Sequence, residues 1–220
     1  MLGGFAGGVM LAATFFSLLG PGLSRATETQ GRWVGMGVAV IAFAIGTLFV
    51  AVLHHLSPHE HFIKGPEGAD RTRLGRAWLF VIAITLHNFP EGLAVGVGGA
   101  SGTLALAMPI AIGIGLQNVP EGLVVAVSLL REGYSPRRAV AIGCATGLVE
   151  PVGAVLGAGV LGISASLLPA ALCFSAGAML FVICDEVLPE SHRGPHASLA
   201  TWGTMVGFAL MMVLDVAFAA

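Results

Sequence analysis

Two six-residue segments, His87-Asn88-Phe89-Pro90-Glu91-Gly92 and Gln117-Asn118-Val119-Pro120-Glu121-Gly122, each set a carboxylate beside a proline within strongly apolar surroundings, thirty residues apart. A carboxylate deep in an apolar, membrane-length segment is expensive and marks a functional site by default. His87 and Glu91 stand at i and i+4 and so share one helix face, and Asn88, three residues before Glu91, lies on an adjacent stripe. Gln117, Asn118 and Glu121 repeat that geometry. Pro90 donates no hydrogen bond and crowds the carbonyl of Leu86, and Pro120 does the same at Leu116. Carbonyls freed at membrane depth must be satisfied by protein, by water in a cavity or by a cation. Gly92 and Gly122 remove bulk next to each acid. The plainer alternative is a kink whose Glu is tied to a neighbouring helix. Duplication, with amide or imidazole groups at i−3 and i−4 each time, argues against it.

A third acid, Glu150, falls in Gly147-Leu148-Val149-Glu150-Pro151-Val152-Gly153, again beside a proline in an apolar run. Three carboxylates in a low-dielectric site cannot all remain ionised unless cations compensate them. Together the candidates supply one imidazole (His87), three amides (Asn88, Gln117, Asn118) and three carboxylates (Glu91, Glu121, Glu150). This set of mostly oxygen donors suits Zn²⁺, Fe²⁺, Mn²⁺ or Cd²⁺ and does not choose among them. The motif holds no thiolate, which argues against a dedicated Cu⁺ site. Cys144, Cys173 and Cys184 match no CxxC pattern and read as small packing residues.

The elements that carry these residues follow from composition. Of 220 residues 56% are hydrophobic and only 10% charged, against about 25% charged in a soluble domain. Such a chain cannot coat a soluble globule, and the fold class expected is an all-α integral membrane bundle, one transmembrane domain over residues 1–220. Ten scattered Lys and Arg and one Tyr offer no nucleic-acid footprint. Seven apolar segments, roughly 1–20, 33–56, 78–100, 104–130, 138–162, 167–190 and 199–219, can each cross a hydrocarbon core about 30 Å thick. The first lacks the basic lead and cleavage site of a signal peptide. Trp33, Trp78 and Trp202 stand near span starts, where interfacial aromatics belong. Gly3/Gly7, Gly4/Gly8, Gly31/Gly35 and Gly153/Gly157 have the spacing that lets helix backbones approach in lipid.

Both motifs fall near the middle of consecutive spans joined by one short turn. They can therefore face each other at one depth, as in binding sites built on interrupted helices. Eight Lys and Arg (Lys64, Arg71, Arg73, Arg76, Arg131, Arg137, Arg138, Arg193) lie on one side and only Arg25 and Arg32 on the other. That asymmetry puts the N-terminus in the cytoplasm and the C-terminus outside. Two further clusters lie at cytoplasmic span ends. His54, His55, His59 and His61 with Glu60 cluster at the end of the second span; Asp185, Glu186 and Glu190 with His192 close the sixth. Each is read either as a route for ions leaving the core or as ordinary polar residues at a helix end. Asp215, near the outer end of the last span, reads as interfacial.

On these residues the chain resembles the ZIP (Zrt-, Irt-like) family of divalent metal transporters, nearest its bacterial GufA-like branch. The paired His-Asn-x-Pro-Glu-Gly and Gln-Asn-x-Pro-Glu-Gly carry the likeness. So do Gly7-Gly8-Val9-Met10-Leu11-Ala12-Ala13, His55-Leu56-Ser57-Pro58-His59-Glu60-His61, Glu150-Pro151 and Asp185-Glu186-Val187-Leu188-Pro189-Glu190. The resemblance implies an eight-helix fold with a binuclear mid-membrane site. It implies that His87, Glu91, Gln117 and Glu121 hold one metal with Met10 nearby. Asn88, Asn118 and Glu150 would hold a second, with Glu91 and Glu121 bridging. It also implies metal movement into the cytoplasm across the cell (inner) membrane, homodimers, and no enzyme activity or prosthetic group. Two departures stand out: seven spans are counted, as though the family's first helix were missing, and Gln117 stands where many members carry His. Two rivals are a membrane-embedded metalloenzyme that activates water on Zn²⁺ and a proton- or sodium-coupled carrier of an organic solute. The metalloenzyme is disfavoured because the chain has no HExxH motif and no second buried imidazole is expected.

Overall fold

The computed structural model describes residues 1–56, 59–61, 65–67, 76–192 and 197–218, with the side chains of 59–61, 65–67, 76, 77, 79 and 190 outside that description. Among the described residues seven helices are long and apolar enough to span a bilayer: α1 Leu2–Gln30, α2 Arg32–Leu56, α3 Arg76–Ala100, α4 Leu104–Arg131, α5 Pro136–Ile163, α6 Ala165–Val187 and α7 Ala197–Phe218. Between α2 and α3 two short strands, β1 His59–His61 and β2 Gly65–Glu67, pair antiparallel. Apart from that small hairpin, the expected all-helical membrane architecture and its seven spans are what the structure shows.

The boundaries differ most in α1, expected to end near residue 20 but helical to Gln30. Pro21 does not stop it because a π-helical stretch, Ala13–Leu19, ends just before Gly20 and the proline. The wider turn relieves the crowding of the Pro21 ring against the preceding backbone. The same device recurs in α6, where π-helical Ile183–Val187 leads into Pro189. By contrast α3 and α4 run unbroken through Pro90, Pro109 and Pro120, so the paired motifs do not sit on interrupted helices. The interruption falls in α5, at a turn over Gly147 and Leu148. Leu148 caps the second half-helix, Val149–Ile163. Pro151 is accepted there because a first-turn residue needs no intrahelical N–H bond.

Three parallel pairs dominate the packing: α3 with α5, α1 with α7 and α2 with α6. Glycines permit each approach. A methyl group on Gly92 or Gly96 would overlap the carbonyls of Glu150 or Ala154, and one on Gly8 would overlap that of Thr204. The pair Gly46 and Gly177 does the same between α2 and α6. Lipid supplies no hydrophobic drive between helices, so such contact-making surfaces hold them together. The main core gathers Met10, Ile110, Ile114, Leu172, Met179 and Ile183, all at most 2% exposed. Burial separates the helices by role: α1, α3 and α6 are inside, at 61%, 67% and 61%, whereas α2, α5 and α7 are peripheral, at 17%, 22% and 28%. The inner helices carry Met10, the His87 motif and the Asp185-Glu186 pair. Trp33, Trp78 and Trp202 are exposed at helix ends, as interfacial residues should be.

Candidate metal centre

Antiparallel packing of α3 on α4 brings the two motifs together. Ligand atoms of His87, Glu91 and Glu121 all lie within 4.8 Å of one another. His87 Nε2 is 3.5 Å from Glu91 Oε1 and 3.7 Å from Glu121 Oε1. The Gln117 amide donates to Glu91 Oε1. His87, Glu91 and Gln117 are at most 2% exposed, so this polar group is sealed from solvent. Met10 is wholly buried in the main core cluster.

Asn118 donates to Glu150 Oε1 at 2.8 Å. Asn88, Asn118, Glu121 and Glu150 line one cleft of about 620 Å³ between α4 and α5. The sequence-derived candidates thus fall into two adjoining groups that share Glu121, one enclosed and one facing the cleft. Close contact of Gly92 with the Glu150 backbone is what brings α5 to this depth. Glu150 lies in the first turn of its half-helix, where the helix dipole favours a carboxylate.

Several donor atoms in these groups are buried with no hydrogen-bond partner in the protein. They are His87 Nε2, Asn88 Oδ1, Glu91 Oε2, Gln117 Oε1, Asn118 Oδ1 and both oxygens of Glu121. Buried polar atoms are paired in more than nine cases of ten, and a concentration of exceptions calls for an explanation. All seven are lone-pair donors converging at one depth, which is the chemistry a divalent cation requires.

Glu186 is a further member that spacing alone had left at a helix end. Its Oε2 lies 3.3 Å from His87 Nδ1, and its side chain is buried beside His54. When Nδ1–H donates to Glu186, the His87 tautomer leaves the Nε2 lone pair aimed between Glu91 and Glu121. A carboxylate behind a ligating histidine is the usual means of fixing ring orientation and raising basicity. His54 corrects another expectation. It is 4% exposed, a second buried imidazole, with Nδ1 3.6 Å from Glu186 Oε1 and 3.8 Å from Asp185 Oδ2. Neither was legible from span position, because the π-helical stretch shifts the phase of Asp185 and Glu186 around α6. His55 is exposed, and the side chains of His59, Glu60, His61 and Glu190 lie outside the described residues. His192 stays local, its Nδ1 2.9 Å from the Leu188 carbonyl. Asp215 accepts from Ser17 at 2.7 Å, which joins α7 to the π-helical part of α1.

A bundle of seven membrane-length helices, with carboxylates, amides and imidazole converging inside it, defines a multi-pass membrane protein with a candidate intramembrane cation site. The chain belongs to the ZIP zinc transporter family, whose model matches residues 64–215. It is 46% identical to the zinc transporter ZIPB of Bordetella bronchiseptica over 219 residues, covering 97% of this chain and 70% of that protein. It is 49% identical to the zinc transporter GufA of Myxococcus xanthus, covering 91% of this chain and 79% of that protein. With the human zinc transporter ZIP11 it shares 34% identity, covering 97% of this chain and 86% of that protein. The family's members are transporters and not enzymes, so the metalloenzyme rival falls away despite the second buried imidazole.

Proposed function

We propose that this protein carries divalent transition metal, zinc foremost, across the cell (inner) membrane into the cytoplasm. The observation that carries this reading is the convergence of unpartnered lone-pair donors on His87, Glu91, Gln117 and Glu121 inside a membrane-length bundle. His87, Glu91, Gln117 and Glu121, with Met10 nearby, take one ion as substrate. Asn88, Asn118 and Glu150 take a second from the cleft side, with Glu91 and Glu121 between them. The oxygen-rich donor set also accommodates Fe²⁺, Mn²⁺ and Cd²⁺, and Gln117 supplies an oxygen where imidazole would favour softer borderline ions.

Glu186 acts from behind His87 by holding its ring. His54 and Asp185 extend the polar cluster beyond Glu186, so that an ion leaving the core meets donors at once. With the N-terminus cytoplasmic, inside-negative potential favours entry. Two charges gain about 4.6 kcal/mol per 100 mV, at roughly 2.3 per charge. The same reading includes a homodimer, which cross-linking in native membranes would detect. The deciding experiment is uptake of radioactive zinc into proteoliposomes under an imposed inside-negative potential, beside a panel of organic solutes. Saturable zinc uptake is expected; accumulation of an organic solute without zinc uptake overturns the assignment.

A further inference from the structure

At the end of the bundle where α1 turns into α2, the helices part to form a groove of about 570 Å³ that has no role in the metal centre. One wall is a single stripe of α1, Gly20, Leu23, Ser24, Thr27 and Glu28, at the spacing of one helix face; the other is Arg32 and Met36 of α2. Polarity is graded along the groove. Gly20, Leu23 and Met36 make the part nearer the bundle centre apolar. Glu28 and Arg32, on opposite walls, place one anion and one cation at the rim beside the hairpin.

Geometry holds both charges at that level. Gly31, with φ of 83°, makes the turn. Gly35 packs on the Ala26 carbonyl, leaving no room for a side chain between the helices just behind it. Ser24 donates to Glu28 Oε1 at 2.9 Å, which directs the carboxylate along the groove wall. The Arg32 guanidinium lies 5.6 Å from the Trp33 ring centroid, and Trp33 is 74% exposed. Exposed Trp at a span end sits at headgroup level, so the charged rim shares that level and the apolar floor faces the acyl chains.

We infer that this groove binds one phospholipid whose headgroup carries both a phosphate diester and a primary ammonium, as in phosphatidylethanolamine. Arg32 donates to the phosphate in a charge-assisted pair. The ammonium donates to Glu28, and one acyl chain runs over Leu23 and Met36 toward Gly20. A headgroup with phosphate alone leaves Glu28 facing a like charge. A quaternary ammonium has no N–H to give the carboxylate. The pairing of opposite charges across the groove therefore selects the zwitterion with a donating amine.

Native mass spectrometry of the full chain, titrated with phosphatidylethanolamine, phosphatidylglycerol and phosphatidylcholine of one acyl composition, tests this. Phosphatidylethanolamine should bind tightest. Glu28→Gln should lower its affinity about tenfold, whereas phosphatidylcholine, which has only the charge attraction and no N–H hydrogen bond to lose, should fall less. Arg32→Gln should weaken all three lipids. Both residues are exposed, so neither change disturbs the core. Equal retention of the three lipids, tighter binding of phosphatidylglycerol, or phosphatidylethanolamine binding unaltered in either variant would overturn the inference.

Discussion

At the residue scale, the site depends on charge held where charge is costly. Glu91 is fully buried, and both Glu121 oxygens lack a hydrogen-bond partner in the protein. Either acid replaced by Ala removes a donor that the remaining amides cannot replace. Glu91→Ala and Glu121→Ala should therefore each abolish zinc uptake in metal-starved cells, and normal uptake in both variants would sink the metal assignment. Glu186→Ala should act differently, because it leaves every proposed ligand in place while freeing the His87 ring. Loss of such a supporting carboxylate weakens metal affinity about 10- to 100-fold. Isothermal titration with Zn²⁺ would show this, and Glu186→Gln, which can still accept from Nδ1–H, should recover part of the loss. The ligand types were legible in the sequence because spacing alone puts His87 and Glu91 on one face. The Glu186 contact was not, because nothing within a single span shows which side chain of α6 meets which of α3.

At the scale of elements, the helices are held by backbone approach at glycines, and this makes their contributions separable. A methyl group at position 96 would overlap the Ala154 carbonyl, whereas one at Gly99 meets nothing within 4 Å. Gly96→Ala should destabilise the α3–α5 pair by about 1–3 kcal/mol, the usual cost of overpacking. Gly99→Ala should leave stability unchanged. Thermal unfolding in detergent distinguishes the two, and equal Tm values would refute the packing account. Small residues at four-residue spacing pointed to Gly4/Gly8 and Gly153/Gly157 from sequence, and these do lie at helix contacts. Gly46 and Gly177, one on each of two helices, have no second glycine at that spacing and emerge only once α2 and α6 are paired. Similarly, Pro90 and Pro120 suggested broken helices, yet the break came in α5. A proline inside a long, well-packed helix loses one bond, whereas Gly147-Leu148 sits where two half-helices can meet with Pro151 in a tolerant first turn.

At the scale of the whole molecule, metal binding is linked to protons and to the membrane field. Imidazole and carboxylates bind metal in their deprotonated forms, so loading displaces protons and affinity falls as pH falls. Calorimetry in buffers of different ionisation enthalpy should show a buffer-dependent heat; identical heats would argue against proton release. The asymmetry of eight basic residues to two sets the expected orientation. A C-terminal alkaline phosphatase fusion should therefore be active, and an inactive but stably expressed fusion would reverse the topology.

Sequence by itself determined the number and approximate length of the helices, because a bilayer core demands apolar runs of a set length. It also determined the paired acids, because nothing makes a buried carboxylate cheap. Tertiary structure alone decided which helices are neighbours, that the donors divide into an enclosed group and a cleft group, and that Glu186 and His54 join them. Those outcomes depend on helix phase, shifted by the π-helical stretches, and on how closely glycine lets particular backbones approach. Both are relations between spans that no single span records.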